Sequence, residues 1–190
     1  MGRCGHSQYK NQHQSSVLCF ESRCNQLAAF IMDAVQEAGI RPADVKLEIT
    51  ESVLMHDFCE IRQVFHKLKD FGVKLALDDF GTGYSSFGYI KDLPLNIVKL
   101  DRSLIREIDT DERAKMIVQS MMIIMHGLGI EVVAEGVETD EQLEVLKKYS
   151  CDYVQGFLFS RPLPSDRFIA YYFAVQVQGD SLSAAAGPIQ

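Results

Sequence analysis

The feature that most constrains this fold is an alternation along the chain. Short, nearly continuous apolar runs rich in valine, isoleucine and leucine are separated by longer amphipathic stretches. Continuous apolar runs are typical of strands that are covered on both faces. Strand–helix alternation with short connections therefore predicts βαβ units and a parallel α/β sheet. The predicted strands span 16–20 (a weak candidate), 45–50, 73–79, 96–101, 130–137 and 153–159.

The predicted helices lie between these strands, and each carries one apolar face. Gly39 supplies a C-terminal stop for the first of them. Thr139 and Gln142 stand in capping-box spacing at the start of another. The predicted helices span 25–38, 57–70, 111–127, 140–149 and 165–174.

Distinctive polar residues stand at the carboxyl end of strand after strand. An open doubly wound sheet would spread them along a line, whereas a TIM-like (β/α) barrel gathers them around one axis, where barrel active sites lie. The barrel explains the pattern better, but too few strands are present for the eight that a barrel needs. We therefore expect an incomplete barrel. The residues concerned are Glu48, Glu51, Asp78, Asp79, Lys99, Asp101, Glu135, Glu138 and Gln155.

The carboxylates among them predict a metal site. Asp78 and Asp79 are adjacent and would repel each other unless a cation neutralises them. A cluster of this kind suits two metal ions in phosphodiester cleavage, and the hard oxygen of Glu48 favours Mg²⁺ or Mn²⁺. The plainer alternatives are a cap or Asx turn for the aspartates, and a first-turn helix carboxylate for Glu51.

Lys99 lies inside an apolar strand, where an ammonium is costly unless it is paired or functional. We expect it to hold a nucleophilic water or a phosphoryl oxygen, with Asp101 as its partner. An ordinary edge-strand pair of the same two residues is the alternative. Glu135 ends another apolar run and suits a metal ligand or a general base. Gln155 interrupts the last strand and is expected to bind a water or to fix Glu135.

The loop after the aspartates is either a plain connector or a lid or subunit contact that positions the site. Its glycines permit unusual backbone angles. The residues assigned to this loop or dimer contact are Phe80, Gly81, Thr82, Gly83, Tyr84 and Ser85.

The net charge of −7 argues against general nucleic-acid or anionic-membrane binding, since both need basic patches. Five irregularly spaced cysteines without a signal-peptide core predict reduced thiols in a cytoplasmic protein. No apolar run is long enough to suggest a membrane segment. The composition predicts a polar arm over 1–24, the partial barrel over 25–176 and a disordered tail over 177–190.

Five segments, in this order, resemble the EAL family of cyclic di-GMP phosphodiesterases: LEITES, LALDDFGTGYSSF, IVKLDRSLI, VVAEGVET and YVQGFLFSRPL. The resemblance covers about residues 26–172. It implies a modified TIM barrel that hydrolyses cyclic di-GMP to linear pGpG with Mg²⁺ or Mn²⁺ in bacterial signalling. It also implies a homodimer, through the loop over 80–87.

The resemblance assigns a role to each matched position. It makes Glu48 a metal ligand and Asp78 and Asp79 the metal-binding pair, one of them bridging two ions. Lys99 would hold the catalytic water, and Glu135 would be the general base or second-metal carboxylate. The remaining assignments are Glu51, which would anchor the loop after the aspartates, and Gln155, which would neighbour Glu135 in the site.

Two family features are absent. The one Glu-Ala pair, Glu37-Ala38, lies inside a predicted helix and is followed by Gly39 rather than leucine. The family's asparagine ligand is missing, and by spacing its place falls near Ser16. Both groups would bind the same metal, so we expect weak or absent activity. A non-catalytic cyclic di-GMP receptor or protein-interaction module, or a fragment without independent function, is the alternative.

Overall fold

The computed structural model describes residues 26–56, 58–82, 87–165 and 167–169. Within them, five parallel strands form one sheet in the order β1-β2-β3-β4-β5. The predicted strand at 16–20 and part of the helix at 165–174 lie outside the described residues. The strands are β1 (Lys46–Thr50), β2 (Lys74–Phe80), β3 (Ile97–Leu100), β4 (Glu131–Glu135) and β5 (Tyr153–Gln155). The helices are α1 (26–37), a 3₁₀ turn (Pro42–Asp44), α2 (Glu51–His56), α3 (Phe58–Phe71), α4 (Phe87–Ile90), α5 (Arg102–Ile105), α6 (Glu112–Gly127) and α7 (Asp140–Lys148).

The strand order confirms the α/β class and favours a barrel over a doubly wound sheet. Each strand pairs with its sequence neighbour, and no reversal of order occurs among the described strands. A doubly wound sheet reverses at a switch point, whereas barrel strands follow one another in sequence. With β1 and β5 at its two edges, the described sheet has five of the eight strands that a closed barrel requires.

The two faces of the sheet differ in what they carry. Successive strand residues point to opposite faces, and one face packs with the helices into the main hydrophobic core. The other face carries a separate small cluster of Ala76, Ile97 and Val133. The central strands are covered on both faces as predicted, but β1 and β5 are partly exposed because they lie at the edges.

The predicted helices over 25–38, 57–70, 111–127 and 140–149 are confirmed to within a few residues. Gly39 ends α1 with a φ of +65°, and the capping box of Thr139 and Gln142 begins α7. Three short helices, α2, α4 and α5, were not predicted, because four to six residues are too few to show a helical period. Among the described helices, none combines the length and apolarity needed to cross a membrane.

The predicted strand over 153–159 is wrong beyond residue 155, because the chain turns there around Val137. The Val137 N–H donates to the Gln155 carbonyl at 3.1 Å, and the Leu158 N–H donates to the Val137 carbonyl at 3.1 Å. Gly156 lies between these two bonds, and a Cβ at that position would collide with the Val137 backbone. This close approach leaves no room for a side chain.

We expect Gly156→Ala to lower the free energy of unfolding by about 2–3 kcal/mol, because the added methyl group displaces backbone rather than a flexible side chain. Gly39→Ala is the matched control, since its Cβ meets nothing within 4 Å and only its φ of +65° is unfavourable. Gly39→Ala should lower the free energy of unfolding by about 1 kcal/mol. Urea unfolding measures both, and equal costs would contradict the steric explanation.

Asp152 ties the start of β5 to its neighbour. Its Oδ2 accepts hydrogen bonds from the Val132 N–H and from His126 Nε2, both at 2.8 Å. Burial acts to raise the pKa of Asp152, but these hydrogen bonds outweigh it and hold that pKa below its ordinary range. The ionised carboxylate therefore stabilises the fold at neutral pH.

We expect Asp152→Ala to cost about 1.5 kcal/mol of unfolding free energy at pH 7, because it removes two hydrogen bonds to a charged group. A lowered folded-state pKa means that this stabilisation is present above the unfolded-state pKa and is lost as the pH falls through the lowered value. The difference in unfolding free energy between Asp152→Ala and the parent, measured by urea unfolding, should therefore become smaller in acid. Glu144→Ala, which removes an exposed ion pair with Lys147, should leave stability nearly unchanged at both pH values.

Two cysteines lie in the described residues, and both are free thiols. Burial raises the pKa of the Cys151 thiol to about 11, so it stays protonated and unreactive at neutral pH. The prediction of reduced thiols is consistent with this. The other three cysteines lie outside the described residues.

Candidate active site

A bulge in β2 brings the two adjacent aspartates to one rim of the sheet. Leu77 pairs with Val98 and Phe80 pairs with Leu100, so Asp78 and Asp79 together stand opposite a single residue of β3, Lys99. Asp79 adopts a φ of +56°, a conformation that few residues other than glycine, asparagine and aspartate tolerate. Without the bulge, alternate residues would point to opposite faces.

Lys99 is the centre of the polar cluster. Its Nζ lies 2.8 Å from Asp78 Oδ1 and 2.7 Å from Glu135 Oε1, and Glu48 Oε2 lies 3.3 Å away. These four side chains come from four neighbouring strands, yet the lysine side chain is only 10% exposed. Sequence analysis predicted residues on adjacent strand ends, and the fold brings these four together.

Burial acts to lower the pKa of Lys99, but its hydrogen bonds to Asp78 and Glu135 outweigh burial, so the pKa is raised above its ordinary value. Lys99 therefore remains an ammonium. On the outer side of the cluster, Lys46 Nζ lies 2.9 Å from Glu48 Oε1 and lowers the pKa of that carboxyl. Lys46 was missed by sequence analysis, because an exposed lysine at the start of a strand carries no distinguishing signal.

Three carboxylates have the spacing of a metal site. One oxygen each from Asp78, Asp79 and Glu135 lies within 4.8 Å of the others. Clustered oxygen donors of this kind suit Mg²⁺ or Mn²⁺, so the residues present fit a divalent cation. Glu48 does not belong to this group of three and joins the cluster through Lys99.

The beginning of the loop after Asp79 is held from two sides. Buried Glu51, the first residue of α2, accepts a hydrogen bond at Oε2 from the Gly81 N–H at 3.1 Å. Thr82 Oγ1 donates to the Asp79 carbonyl at 3.0 Å. A Cβ at Gly81 would collide with Leu104 of α5, so α5 packs directly against the loop. Glu51 is thus both a first-turn helix carboxylate and the anchor of this backbone.

Four of the six residues assigned to this loop are not part of its described portion. Phe80 is the last residue of β2 and is buried in the core, so it belongs to the sheet rather than to the loop. Gly83, Tyr84 and Ser85 lie outside the described residues.

Asp101 does not pair with Lys99, contrary to both sequence-based interpretations. The strand ends at Leu100, and Asp101 becomes the N-cap of α5, where its side chain accepts from the Ser103 N–H at 2.9 Å. Lys99 is instead satisfied by carboxylates from the neighbouring strands. A single sequence shows which residues follow along a strand but not which strands lie beside it.

Gln155 and Glu138 lie at the edge of this arrangement. Gln155 is level with Glu135 in the pairing of β4 with β5, and its side chain is exposed. Glu138 is also exposed, and its backbone N–H donates to the side chain of Gln142. A pocket of about 280 Å³ opens beside Gln155, with the Arg161 guanidinium 4.8 Å from the Phe157 ring centroid. Sequence analysis missed this pocket because its walls are mostly apolar and most of them lie beyond the last strand.

Comparison with known proteins identifies the family. The model of the EAL domain matches residues 14–162. The chain belongs to the EAL domain family. Its segment is 43% identical over 134 residues to the cyclic di-GMP phosphodiesterase NbdA of Pseudomonas aeruginosa, covering 70% of this chain and 17% of that protein. It is 39% identical over 153 residues to the oxygen sensor protein DosP of Escherichia coli, covering 80% of this chain and 19% of that protein.

Solved EAL structures share the fold. The PaMucR phosphodiesterase in complex with c-di-GMP matches with a TM-score of 0.68 and 29% identity over 85% of this chain and 76% of that one. Klebsiella pneumoniae BlrP1 in a manganese and c-di-GMP complex matches with a TM-score of 0.66 and 40% identity. That match covers 70% of this chain and 34% of the BlrP1 chain. The chain thus spans about a fifth of the curated relatives and has the EAL form of the TIM barrel, here incomplete in the described residues.

Proposed function

We propose that this chain hydrolyses cyclic di-GMP to linear pGpG with Mg²⁺ or Mn²⁺, as a homodimer in the bacterial cytoplasm. The observation that carries the proposal is the Lys99 ammonium, which contacts Asp78 and Glu135, two members of the three-carboxylate cluster. A buried cation surrounded by acidic groups from separate strands has little structural purpose, since apolar residues would stabilise the sheet better. The names of the matched relatives and structures support the same chemistry.

Each residue can be given a task. Asp78, Asp79 and Glu135, with Glu48 beside them, would hold the cation, which supplies positive charge against the anionic phosphodiester when bound. Lys99 stays protonated, so it acts as a hydrogen-bond donor that positions the attacking water or a phosphoryl oxygen, not as a base. Glu135 is then the group that would accept a proton from the attacking water as the new P–O bond forms, while the P–O3′ bond breaks and the departing 3′ oxygen takes up a proton from solvent.

The pocket beside Gln155 offers a second kind of contact. The Phe157 ring and the Arg161 guanidinium present flat surfaces next to the strand that pairs with β4. Such surfaces suit stacking of a purine base. We include this pocket in the proposed substrate site, with Gln155 between it and Glu135.

A non-catalytic receptor for cyclic di-GMP is the second candidate, and one observation favours it. The Glu-Ala pair lies at the end of helix α1, not at the carboxyl end of a described strand, and Glu37 is exposed there. A weakly held cation would leave nucleotide binding without efficient turnover.

The deciding experiment incubates the full chain with cyclic di-GMP and Mn²⁺ and measures pGpG by chromatography, with a chelator-treated sample and Glu135→Gln as controls. Turnover that needs Mn²⁺ and is lost in Glu135→Gln would establish the enzyme. Binding of cyclic di-GMP by calorimetry without turnover would establish the receptor. Neither turnover nor binding at millimolar nucleotide would contradict both.

A further inference from the structure

The start of helix α5 lies at the same rim of the sheet as the carboxylate cluster. Strand β3, which carries Lys99, ends at Leu100, and α5 begins two residues later at Arg102. Because the parallel strands of a barrel bring their carboxyl ends to one rim, the first turn of α5 borders the candidate active site. Arg102 is exposed there. A cationic side chain therefore stands at the rim of the site.

Arg102 is held next to Glu135 by a close backbone contact. Gly136, the residue after Glu135, has a φ of +70°, and a Cβ at that position would collide with the Arg102 Cβ and come within 3.3 Å of its Cα. On the other side of α5, a Cβ at Gly81 would collide with Leu104. Helix α5 therefore lies between the loop that follows β2 and the loop that follows β4, and Arg102 packs against the second of these loops.

The two lysines of the acidic cluster are already paired with protein carboxylates. The Lys99 ammonium contacts three carboxylates at 2.7–3.3 Å, and Lys46 contacts Glu48 at 2.9 Å. Arg102 differs from both, because it forms no salt bridge with any carboxylate in the part of the chain that the structure describes. Its guanidinium can therefore pair with an anionic group of a ligand without giving up a partner in the protein.

Cyclic di-GMP carries two phosphodiesters, and hydrolysis to linear pGpG cleaves one of them. The cleaved phosphodiester would lie against the cation held by Asp78, Asp79 and Glu135, within reach of Lys99. The intact phosphodiester would then lie to one side of this cluster, where it needs a positive charge of its own. Arg102 stands on the Glu135 side. A guanidinium suits this task better than an ammonium, because its N–H groups form a fork that two phosphate oxygens accept.

We propose that the Arg102 guanidinium binds the phosphodiester of cyclic di-GMP that is not cleaved. This inference rests on the proposed function, because it needs the other phosphodiester at the carboxylate cluster. The intact phosphodiester does not change during the reaction, so Arg102 makes the same contact in the bound substrate and in the transition state. Such uniform binding lowers the KM and leaves kcat unchanged.

Arg102→Ala is the test, with Arg102→Lys as the conservative variant. Arg102→Ala should raise the KM for cyclic di-GMP at least about tenfold, because a hydrogen bond between charged groups is typically worth that factor. Its kcat and Mn²⁺ affinity should stay parental. Arg102→Lys should recover part of the loss, since it restores the charge but not the fork. The matched control is Arg106→Ala, which removes an exposed arginine one helical turn farther along the chain, 3.5 Å from Glu107, and should keep the parental KM.

Initial rates of pGpG formation give KM and kcat, and calorimetric titration gives the Mn²⁺ affinity. If the chain binds cyclic di-GMP without turnover, the calorimetric Kd of the nucleotide takes the place of KM and should rise by the same factor.

Parental affinity for cyclic di-GMP in Arg102→Ala would overturn the role of Arg102 and leave the proposed function standing. A fall in kcat at unchanged KM, or weaker Mn²⁺ binding, would also overturn it, because the arginine would then act at the reacting phosphodiester or through the cation. A parent that neither binds nor hydrolyses cyclic di-GMP would contradict the proposed function and the role of Arg102 together.

Discussion

Replacing Lys99 with methionine should abolish turnover while leaving the cation site intact. The change keeps the length of the side chain inside the strand but removes the ammonium that contacts Asp78 and Glu135. We expect the kcat for cyclic di-GMP to fall at least about 100-fold, since a positioned donor of this kind typically contributes that much. Mn²⁺ affinity should stay equal or increase, because the ammonium no longer competes for two carboxylates.

The matched control is Lys46→Met, which removes another lysine from the same acidic cluster. Lys46 contacts Glu48 at 2.9 Å, but its side chain is exposed and touches neither Asp78 nor Glu135. We expect nearly parental kcat in this variant. Calorimetric titration with Mn²⁺ and a pGpG assay measure the two quantities separately. Full turnover in Lys99→Met would contradict a role for Lys99 in the reaction. Loss of Mn²⁺ binding in the same variant would show that Lys99 supports the structure of the site instead.

Replacing Asp79 with asparagine should weaken Mn²⁺ binding by at least about 100-fold and abolish turnover with it. Asparagine is chosen because it tolerates the φ of +56° at this position, so the fold is retained and only the charge is lost. An alanine would add backbone strain to the loss of a ligand. The expected size follows from removing one of three clustered carboxylates from a site that holds a divalent ion by charge.

Glu131→Gln is the matched control for this second change. Glu131 is the first residue of β4 and Glu135 is the last. Glu131 therefore lies at the amino end of the strand, away from the cluster, and it is exposed. The Glu131→Gln variant should bind Mn²⁺ with the affinity of the parent. Circular dichroism should show that both variants fold as the parent does. Unchanged Mn²⁺ affinity in Asp79→Asn would contradict the assignment of this aspartate as a ligand, whatever its effect on turnover.

Much of this architecture could be predicted because local rules govern it. The runs that became β2 to β4 are mostly apolar, and the capping box at Thr139 depends on residues only three positions apart. Lys99 and Gln155 were singled out because each interrupts an apolar run, and Glu135 was singled out because it ends one. Parallel strands then place their carboxyl ends at one rim, so the approximate location of the site follows from the strand assignment.

Other features depended on contacts between distant parts of the chain. The short end of β5 is set by the approach of Gly156 to Val137, and nothing in the local sequence marks that contact. Asp101 follows Lys99 by two residues along the chain, yet it caps α5 because β3 ends at Leu100. The partners of Lys99 come from three other strands, and their distances depend on the register of the sheet.

The sequence by itself determined that strands and helices alternate and that acidic groups gather at the strand ends, because hydrophobic period and residue type act over short distances. It also placed two aspartates side by side, where strand geometry alone would send them to opposite faces. Only the tertiary structure decided that both lie in one carboxylate cluster with Glu135. The bulge that does so exists because Leu77 and Phe80 each pair with β3, which leaves two residues of one strand opposite one residue of the other.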